Sequence, residues 1–408
     1  MEQFVIDQIK YGLKYLPSNL IKSFFISDTS AKAEALREKG FLCGVCHPCG
    51  DLKQITDANI NWVRLDIPFP FDGNGEICDC FKEFKARCRE FTDNGLKVMA
   101  ITPYPQDYQK NGIDLDSAEG EARVKEIAVF FANELRDLVG AFQVTNEMGI
   151  PRFTIPLTMK QAARFIGIQL QALYPVKGDI LVGYNSAGPQ ADLHFMLKPY
   201  HKYCDYVGVD IYIGCFFAGG FMWCFDALIR YLWAFTGKPV ILQEFGYIGS
   251  GAPKTKEEKK AILNRYGASS EKDAKKNIVS FVEHMPKQFG DHVKFLSNGD
   301  SSRFYDLIFK SDLVDHLYCE LPAATKIPGY DHTPEGQAKF YSKLLPSLYK
   351  KKYIAGAIIY CYSDSEHCYI CGQEDCPVET SWGLVDRSGN PKPSYYAVKE
   401  AFGRIRNK

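Results

Sequence analysis

The 408-residue chain lacks a net charge: 49 Lys and Arg residues balance 49 Asp and Glu. With no overall field of either sign, nucleic acid and anionic membrane surfaces are not expected partners. It also lacks any segment approaching the ~20 apolar residues that span a bilayer. The opening residues, Met1-Glu2-Gln3-Phe4-Val5-Ile6-Asp7, contain no basic stretch leading into an apolar one, so no secretory leader is expected. These absences point to a cytoplasmic protein whose partner is a neutral small molecule or polymer. Histidine is scarce, with 8 in the chain, and the predicted strand ends are not histidine-rich as a metal-dependent hydrolase requires. No solenoid repeat, low-complexity tract or linker divides the sequence.

Aromatic residues and cysteines are plentiful. Phe, Tyr and Trp make up 14% of the chain, a composition suited to stacking against flat apolar faces such as those of sugars or aglycones. Fourteen cysteines are many for a reducing compartment, where they are expected as thiols or metal ligands rather than disulfides.

From about residue 41 onward, β-prone runs alternate with amphipathic helical stretches, the signature of consecutive βα units. Strands are predicted at residues 41–46, 62–67, 97–102, 142–146, 179–183, 206–212, 239–244 and 355–362. Between them, Phe81, Phe84, Cys88 and Phe91 recur at helical spacing, as do Val124, Ile127, Phe131, Leu135 and Leu138. Eight parallel strands with crossover helices close most simply into an α/β fold of the (β/α)8 TIM-barrel type, whose working residues lie at the C-terminal strand ends. Residues 41–408 would form this catalytic barrel. Residues 1–40, with helical pieces at 6–15 and 31–39, form a helical extension expected to pack on the barrel floor. A long insertion, about 250–332, separates the seventh and eighth strands, and loops of that length usually mould or cover a site.

Two runs carry the chemistry. Ala141-Phe142-Gln143-Val144-Thr145-Asn146-Glu147 and Pro239-Val240-Ile241-Leu242-Gln243-Glu244 are both apolar, β-prone and terminated by a glutamate. An unpaired carboxylate is costly at the end of a core strand, so two such ends suggest a functional pair. Strands four and seven lie across the mouth of an eight-stranded barrel, so their terminal side chains can converge. A retaining glycosidase needs two carboxyl groups about 5 to 5.5 Å apart, one as acid/base and one as nucleophile. No metal or cofactor is required for that chemistry.

Thr145-Asn146-Glu147 and Gln243-Glu244-Phe245-Gly246-Tyr247 resemble the Asn-Glu and Glu-Phe-Gly signatures of clan A glycoside hydrolases, especially the barrels of families 2 and 5. The run Ser381-Trp382-Gly383-Leu384-Val385-Asp386 through Tyr396 resembles their last βα unit. The resemblance implies a β-glycosidase acting with retention, with Glu147 as acid/base, Glu244 as nucleophile, Arg64 bracing the nucleophile and Tyr212 hydrogen-bonded to it. Asn146 would contact the sugar 2-hydroxyl and Trp382 would form the sugar platform. Asp66, Tyr104 and Asn185 join the expected binding residues, with His47 and Tyr362 nearby. Thr102-Pro103-Tyr104 stands where many family 5 enzymes carry a histidine, and the β-sandwich domains of family 2 are missing.

Each residue also has a plainer reading: a surface glutamate, an Arg64–Asp66 ion pair stitching strands, or aromatic packing in the core or at the rim. Asn390-Pro391-Lys392 resembles a clamp for the glucuronide carboxylate, but it is also an ordinary turn before a last helix. The expected partner is a carbohydrate or glycoside, most simply a small β-glycoside cleaved from its end. Endo action as in mannanases or glucanases, a β-glucuronidase and a non-catalytic sugar-binding barrel are the alternatives. Finally, Cys43, Cys46 and Cys49 end the first strand, while Cys368, Cys371 and Cys376 follow the eighth, its neighbour in a closed barrel. Thiolates at these spacings, with Cys78 and Cys80 close by, could hold a structural zinc ion; unligated thiols are the plainer reading.

Overall fold

Eight parallel strands close into one barrel in a computed structural model, in the order β1 to β8 with β8 returning to β1. The strands are β1 (Leu42–Cys46), β2 (Trp62–Asp66), β3 (Lys97–Ile101), β4 (Ala141–Val144), β5 (Leu181–Tyr184), β6 (Tyr206–Asp210), β7 (Val240–Phe245) and β8 (Ile354–Ile359). The described residues are 3–154, 156–215, 219–251, 254–309, 317–318, 325–368, 372–374 and 376–407. All eight expected strands are present, and the βα periodicity that predicts them is physical: each strand is buried on both faces and each intervening helix buries one stripe against it. Five strands, β2, β3, β4, β6 and β8, stop short of their expected ends. The fourth ends at Val144 because Thr145 (φ 56°) and Glu147 (φ 45°) take left-handed backbone, which no ladder continues.

The interior of the barrel is unusually polar towards its C-terminal end. Cys46, Arg64 and Met99 share one level through the β1–β2–β3 register, and Gln143, Gln243 and Asp210 point inward from β4, β7 and β6. Glycines make room for them: a Cβ on Gly208 would run into the Gln243 amide. At the opposite end Trp62 fills the floor against Gly140. A cavity of about 280 Å³ lined by Leu36, Leu42 and Trp62 lies at this floor, the end where barrels carry stability rather than chemistry.

The N-terminal extension divides between two places. Helix α2 (Ala31–Glu38), capped by Ser30, sits at the floor, where Arg37 donates to the Ile354 and Tyr349 carbonyls at 2.8 and 3.1 Å. Helix α1 is longer than expected, running through Pro17 from Gln3 to Phe25. It lies on the flank of the barrel: Tyr15 stacks on Phe195 (4.2 Å between centroids), and Arg230 donates to the Ser23 and Ile26 carbonyls. None of the helices among the described residues is long and apolar enough to cross a membrane.

The insertion after β7 forms short helices, Lys256–Arg265, Glu271–Lys276, Ile278–Glu283, Lys287–Ser297 and Phe304–Phe309, around a small core of its own. Cys368 and Cys376, from the loop after β8, belong to that second core, whereas Cys43 and Cys46 belong to the barrel core. The insertion returns beside the barrel mouth: the Tyr247 hydroxyl accepts from Ile327 N–H (3.1 Å) and donates to the Tyr330 carbonyl (2.6 Å), and His332 Nε2 meets the Gly214 carbonyl at 2.8 Å.

Behind β5, the Tyr184 hydroxyl bonds both His194 Nδ1 (2.8 Å) and His201 Nε2 (3.0 Å), and Ser186 Oγ meets His194 Nε2 at 2.9 Å. Burial depresses His194 to about 3 and His201 to about 4. Each imidazole is therefore neutral in the native state, while in the unfolded chain it takes up a proton below about pH 6.5. Their contribution is fully present above that pH and is lost as pH falls towards the native values. We predict that His194→Gln loses about 2 kcal/mol less stability than the wild type between pH 7 and pH 5. Denaturant titrations at the two pH values check this, and equal losses in both proteins would refute it.

Candidate active site

The two glutamates meet. Glu147, Asp210 and Glu244 place carboxylate oxygens within 4.8 Å of one another at the C-terminal mouth of the barrel, and among the described residues they form the only such grouping of three acidic, histidine or cysteine side chains. Three strand ends make this possible: Asp210 and Glu244 follow apolar runs on the adjacent strands β6 and β7, where a register shift after Val209 brings them opposite each other, and Glu147 follows β4.

Arg64 organises the pair from inside. Its guanidinium donates to Glu244 Oε1 (Nη1, 2.5 Å), Gln143 Oε1 (Nε, 2.7 Å) and Asn146 Oδ1 (Nη2, 2.5 Å), with Cys46 Sγ 3.6 Å from Nη1. Burial disfavours the guanidinium charge, but Glu244 and the neighbouring acids outweigh it and raise Arg64 well above its ordinary value. Arg64 does not pair with Asp66, so the plain strand-stitching reading is corrected: Asp66 is exposed at the rim and accepts from the Tyr104 hydroxyl at 3.4 Å. The second oxygen of Glu244, Oε2, accepts from the Tyr212 hydroxyl at 2.8 Å. Both oxygens of Glu244 thus receive donors.

Glu147 is placed by its backbone. The Thr145 N–H donates to Thr102 Oγ1 (3.1 Å), the Gln143 side chain donates to the Thr145 carbonyl (2.8 Å), and the Glu147 N–H donates to Asn185 Oδ1 (2.9 Å). These bonds hold two left-handed non-glycine residues that would otherwise cost about 1–3 kcal/mol each. Asn146 lies between them, its Oδ1 accepting from Arg64, Gln143 (3.0 Å) and Asn185 (2.7 Å). With the oxygen so occupied, the amide orientation turns the Asn146 NH2 away from that network. Asn185 is the hub on the far side, its Nδ2 also donating to Asp210 Oδ2 at 2.6 Å.

Of the expected residues, Glu147, Glu244, Arg64, Asn146, Tyr212 and Asn185 come together, and Asp66 and Tyr104 stand at the rim, Tyr104 stacked on Phe153 at 5.2 Å. Trp382 does not fit its expected role as sugar platform. It is 0% exposed, packed beneath Tyr212 (5.2 Å) and Tyr360 (5.8 Å). Gln337 pins it there by donating to the carbonyls of Tyr247, Ser381 and Trp382. Tyr360, just past the end of β8, is the aromatic ring that lies nearer the mouth, edge-on to Tyr212 and to the exposed His47. Tyr362 is core, its hydroxyl on Gln54 Oε1. Asp210, Gln143, Thr102 and Tyr360 were not among the expected site residues.

The cysteines depart from expectation. Cys78 and Cys80 form a disulfide with each other, where thiols or metal ligands were expected. Cys46 points into the barrel onto Arg64 while Cys43 points out of it, because successive strand residues face opposite ways. One ion cannot bind both. Cys368 and Cys376 sit in the insertion's core, Cys49 is exposed, and Cys371 lies outside the described residues. Lys392 forms an ion pair with Asp364 (3.0 Å to each oxygen) and donates to the Ser381 carbonyl, while Asn390 closes a turn on Asp386. Asn390-Pro391-Lys392 is therefore a structural turn.

No protein-family model and no curated protein matches the sequence. Solved structures do match the fold. The GH53 catalytic domain of Ignisphaera aggregans superposes with a TM-score of 0.53 at 16% identity, over 91% of this chain and 94% of that one. A family 39 glycoside hydrolase of Bacteroides cellulosilyticus WH2 gives 0.53 at 14% identity, over 89% and 64%. The β-glucuronidase of Bacteroides uniformis gives 0.51 at 13%, over 89% and 35%. What is shared is the barrel. The chain spans about half the length, 51%, of a GH2 β-galacturonidase from Eisenbergiella tayi that it also matches.

The burial of Trp382 yields a test. We predict that Trp382→Ala lowers unfolding free energy by about 3–5 kcal/mol. An unchanged denaturation midpoint with a raised KM would instead restore Trp382 as a substrate-facing platform.

Proposed function

We propose that the protein is a glycoside hydrolase that cleaves β-glycosidic bonds with retention of anomeric configuration, with Glu244 as nucleophile and Glu147 as acid/base. The observation that carries this reading is the approach of the Glu147 and Glu244 carboxylate oxygens to within 4.8 Å. Oxygens within that bound are compatible with carboxyl groups about 5 to 5.5 Å apart, as in retaining enzymes, rather than the roughly 6.5–9.5 Å at which an inverting enzyme admits water. In the first step Glu244 attacks the anomeric carbon as the bond to the leaving oxygen breaks, and Glu147 gives that oxygen its proton. In the second, Glu147 takes a proton from water, whose oxygen displaces Glu244 and releases the sugar. Arg64 and Tyr212 supply donors to both oxygens of Glu244, which orients it towards the anomeric carbon. The Asn146 amide is turned to donate to a 2-hydroxyl, a bond that strengthens as positive charge develops in the ring.

A neutral sugar suits the site better than a uronate. Lys392, the one residue of the clamp motif with a positive charge, is spent on Asp364, and Arg64 is spent on Glu244. The return of the insertion beside the mouth favours small substrates held from one end. A cation held by the three acids is the competing reading of the same cluster. It is disfavoured because the Arg64 guanidinium already neutralises Glu244 and would repel a metal ion.

On a panel of nitrophenyl β-glycosides, we expect Glu244→Ala and Glu147→Gln to remain folded and to lose about 100- to 10,000-fold or more in rate. Azide should partly restore Glu244→Ala, giving a glycosyl azide of α configuration. Undiminished turnover in both variants would refute the assignment.

A further inference from the structure

Asp210 is a carboxyl that a two-glutamate mechanism does not use. It is 3% exposed, and its Oδ1 has no hydrogen-bond partner. Its Oδ2 accepts the Asn185 amide, whose own oxygen receives the Glu147 N–H, and the Glu244 N–H also faces the carboxyl. The charged and titratable groups around it come from every neighbouring strand: Glu147 from β4, Glu244 from β7, Arg64 from β2, Cys46 from β1 and Tyr212 beyond β6. From β5, Ser186 contributes only its carbonyl, to the Asp210 N–H. Among these groups the one guanidinium facing the three carboxyl groups is that of Arg64, and it is bound to Glu244. Three negative charges this close in a buried site repel one another, which favours a proton on Asp210, the carboxyl whose Oδ1 is left without a donor.

We propose that Asp210 is a proton-carrying third carboxyl and a positioning residue for the acid/base: through Asn185 it fixes where Glu147 stands, and by sharing the cluster's protons it keeps Glu147 protonated to higher pH. The inference rests on the assignment of Glu147 proposed above. Its physical core is the like-charge argument. A proton leaving the cluster comes off Asp210 or Glu147, and the negative charge then left on Asp210 makes the proton on Glu147 harder to remove. Burial, Glu244 and Glu147 all push Asp210 up well beyond the usual carboxylate range, which agrees with a neutral acid at rest. The unpartnered Oδ1 is where such a proton would sit.

Asp210→Asn keeps the size and the acceptor for Asn185 and removes the ionisable group. The expected result is a basic limb of kcat/KM displaced by about one pH unit towards acid, read as about tenfold less activity above the limb, with the acid limb unmoved. A structural role alone would lower kcat without moving the limb, and an unmoved limb overturns the proposal. Infrared difference spectroscopy supplies a reading that needs neither turnover nor that variant. In Glu147→Gln at neutral pH, the carbonyl band of a buried protonated carboxyl should persist, and its absence overturns the proposal even if Asp210→Asn fails to fold. If no glycoside is turned over but the band persists, the assignment of activity fails while the shared-proton cluster stands.

Discussion

The contact on which the rest of the site depends is the one between the buried Arg64 guanidinium and Glu244. A charge this far inside a barrel is tolerated only with close partners, and breaking such a pair from one side typically costs about 3–5 kcal/mol. Arg64 meets that demand by using all three of its nitrogens at once, on Glu244, Gln143 and Asn146. The electrostatic requirement thereby becomes a geometric one. The same cation that binds Glu244 fixes the orientation of Asn146 and, through Gln143, the turn that carries Glu147. Strands β2, β4 and β7 are tied at one point.

The barrel makes that point possible and the residues behind it make it rigid. Parallel strands deliver their C-terminal side chains to one mouth, and inward glycines such as Gly208 leave space for the amides beneath. Around the mouth, Trp382, Tyr212 and Tyr360 form an edge-to-face group, locked from the outside by Gln337 and the Asp364–Lys392 pair. The insertion after β7 brings a separate core and touches the barrel through Tyr247 and His332. The acidic cluster is thus held by short bonds from below and packed rings from the side.

Much of this was legible in the sequence, because the signals were local. Alternation of β-prone and helical runs set out all eight strands, and an apolar run ending on an acid marked Glu147 and Glu244. The same rule marks Asp210, since Tyr206-Val207-Gly208-Val209-Asp210 is also an apolar run closed by a carboxylate. Tyr212, two residues on, is the residue that the clan A resemblance singles out on that strand. What could not be read locally depended on tertiary packing. Nothing in Ser381-Trp382-Gly383 says that the indole will lie under two tyrosines rather than over a substrate. The cysteine spacings do not reveal that Cys43 and Cys46 face opposite sides of a strand, or that Cys368 and Cys376 join a different core. The partner of Lys392 lies 28 residues away in the chain and became visible only on folding.

Whether the two glutamates work as the distance between them implies is answered most directly by the stereochemistry of the first product. Proton NMR during hydrolysis of an accepted nitrophenyl β-glycoside, followed before mutarotation, should show the β anomer of the sugar appearing first. If the α anomer appears first, a water stands between the carboxyl groups, and the double-displacement account of Glu147 and Glu244 is wrong.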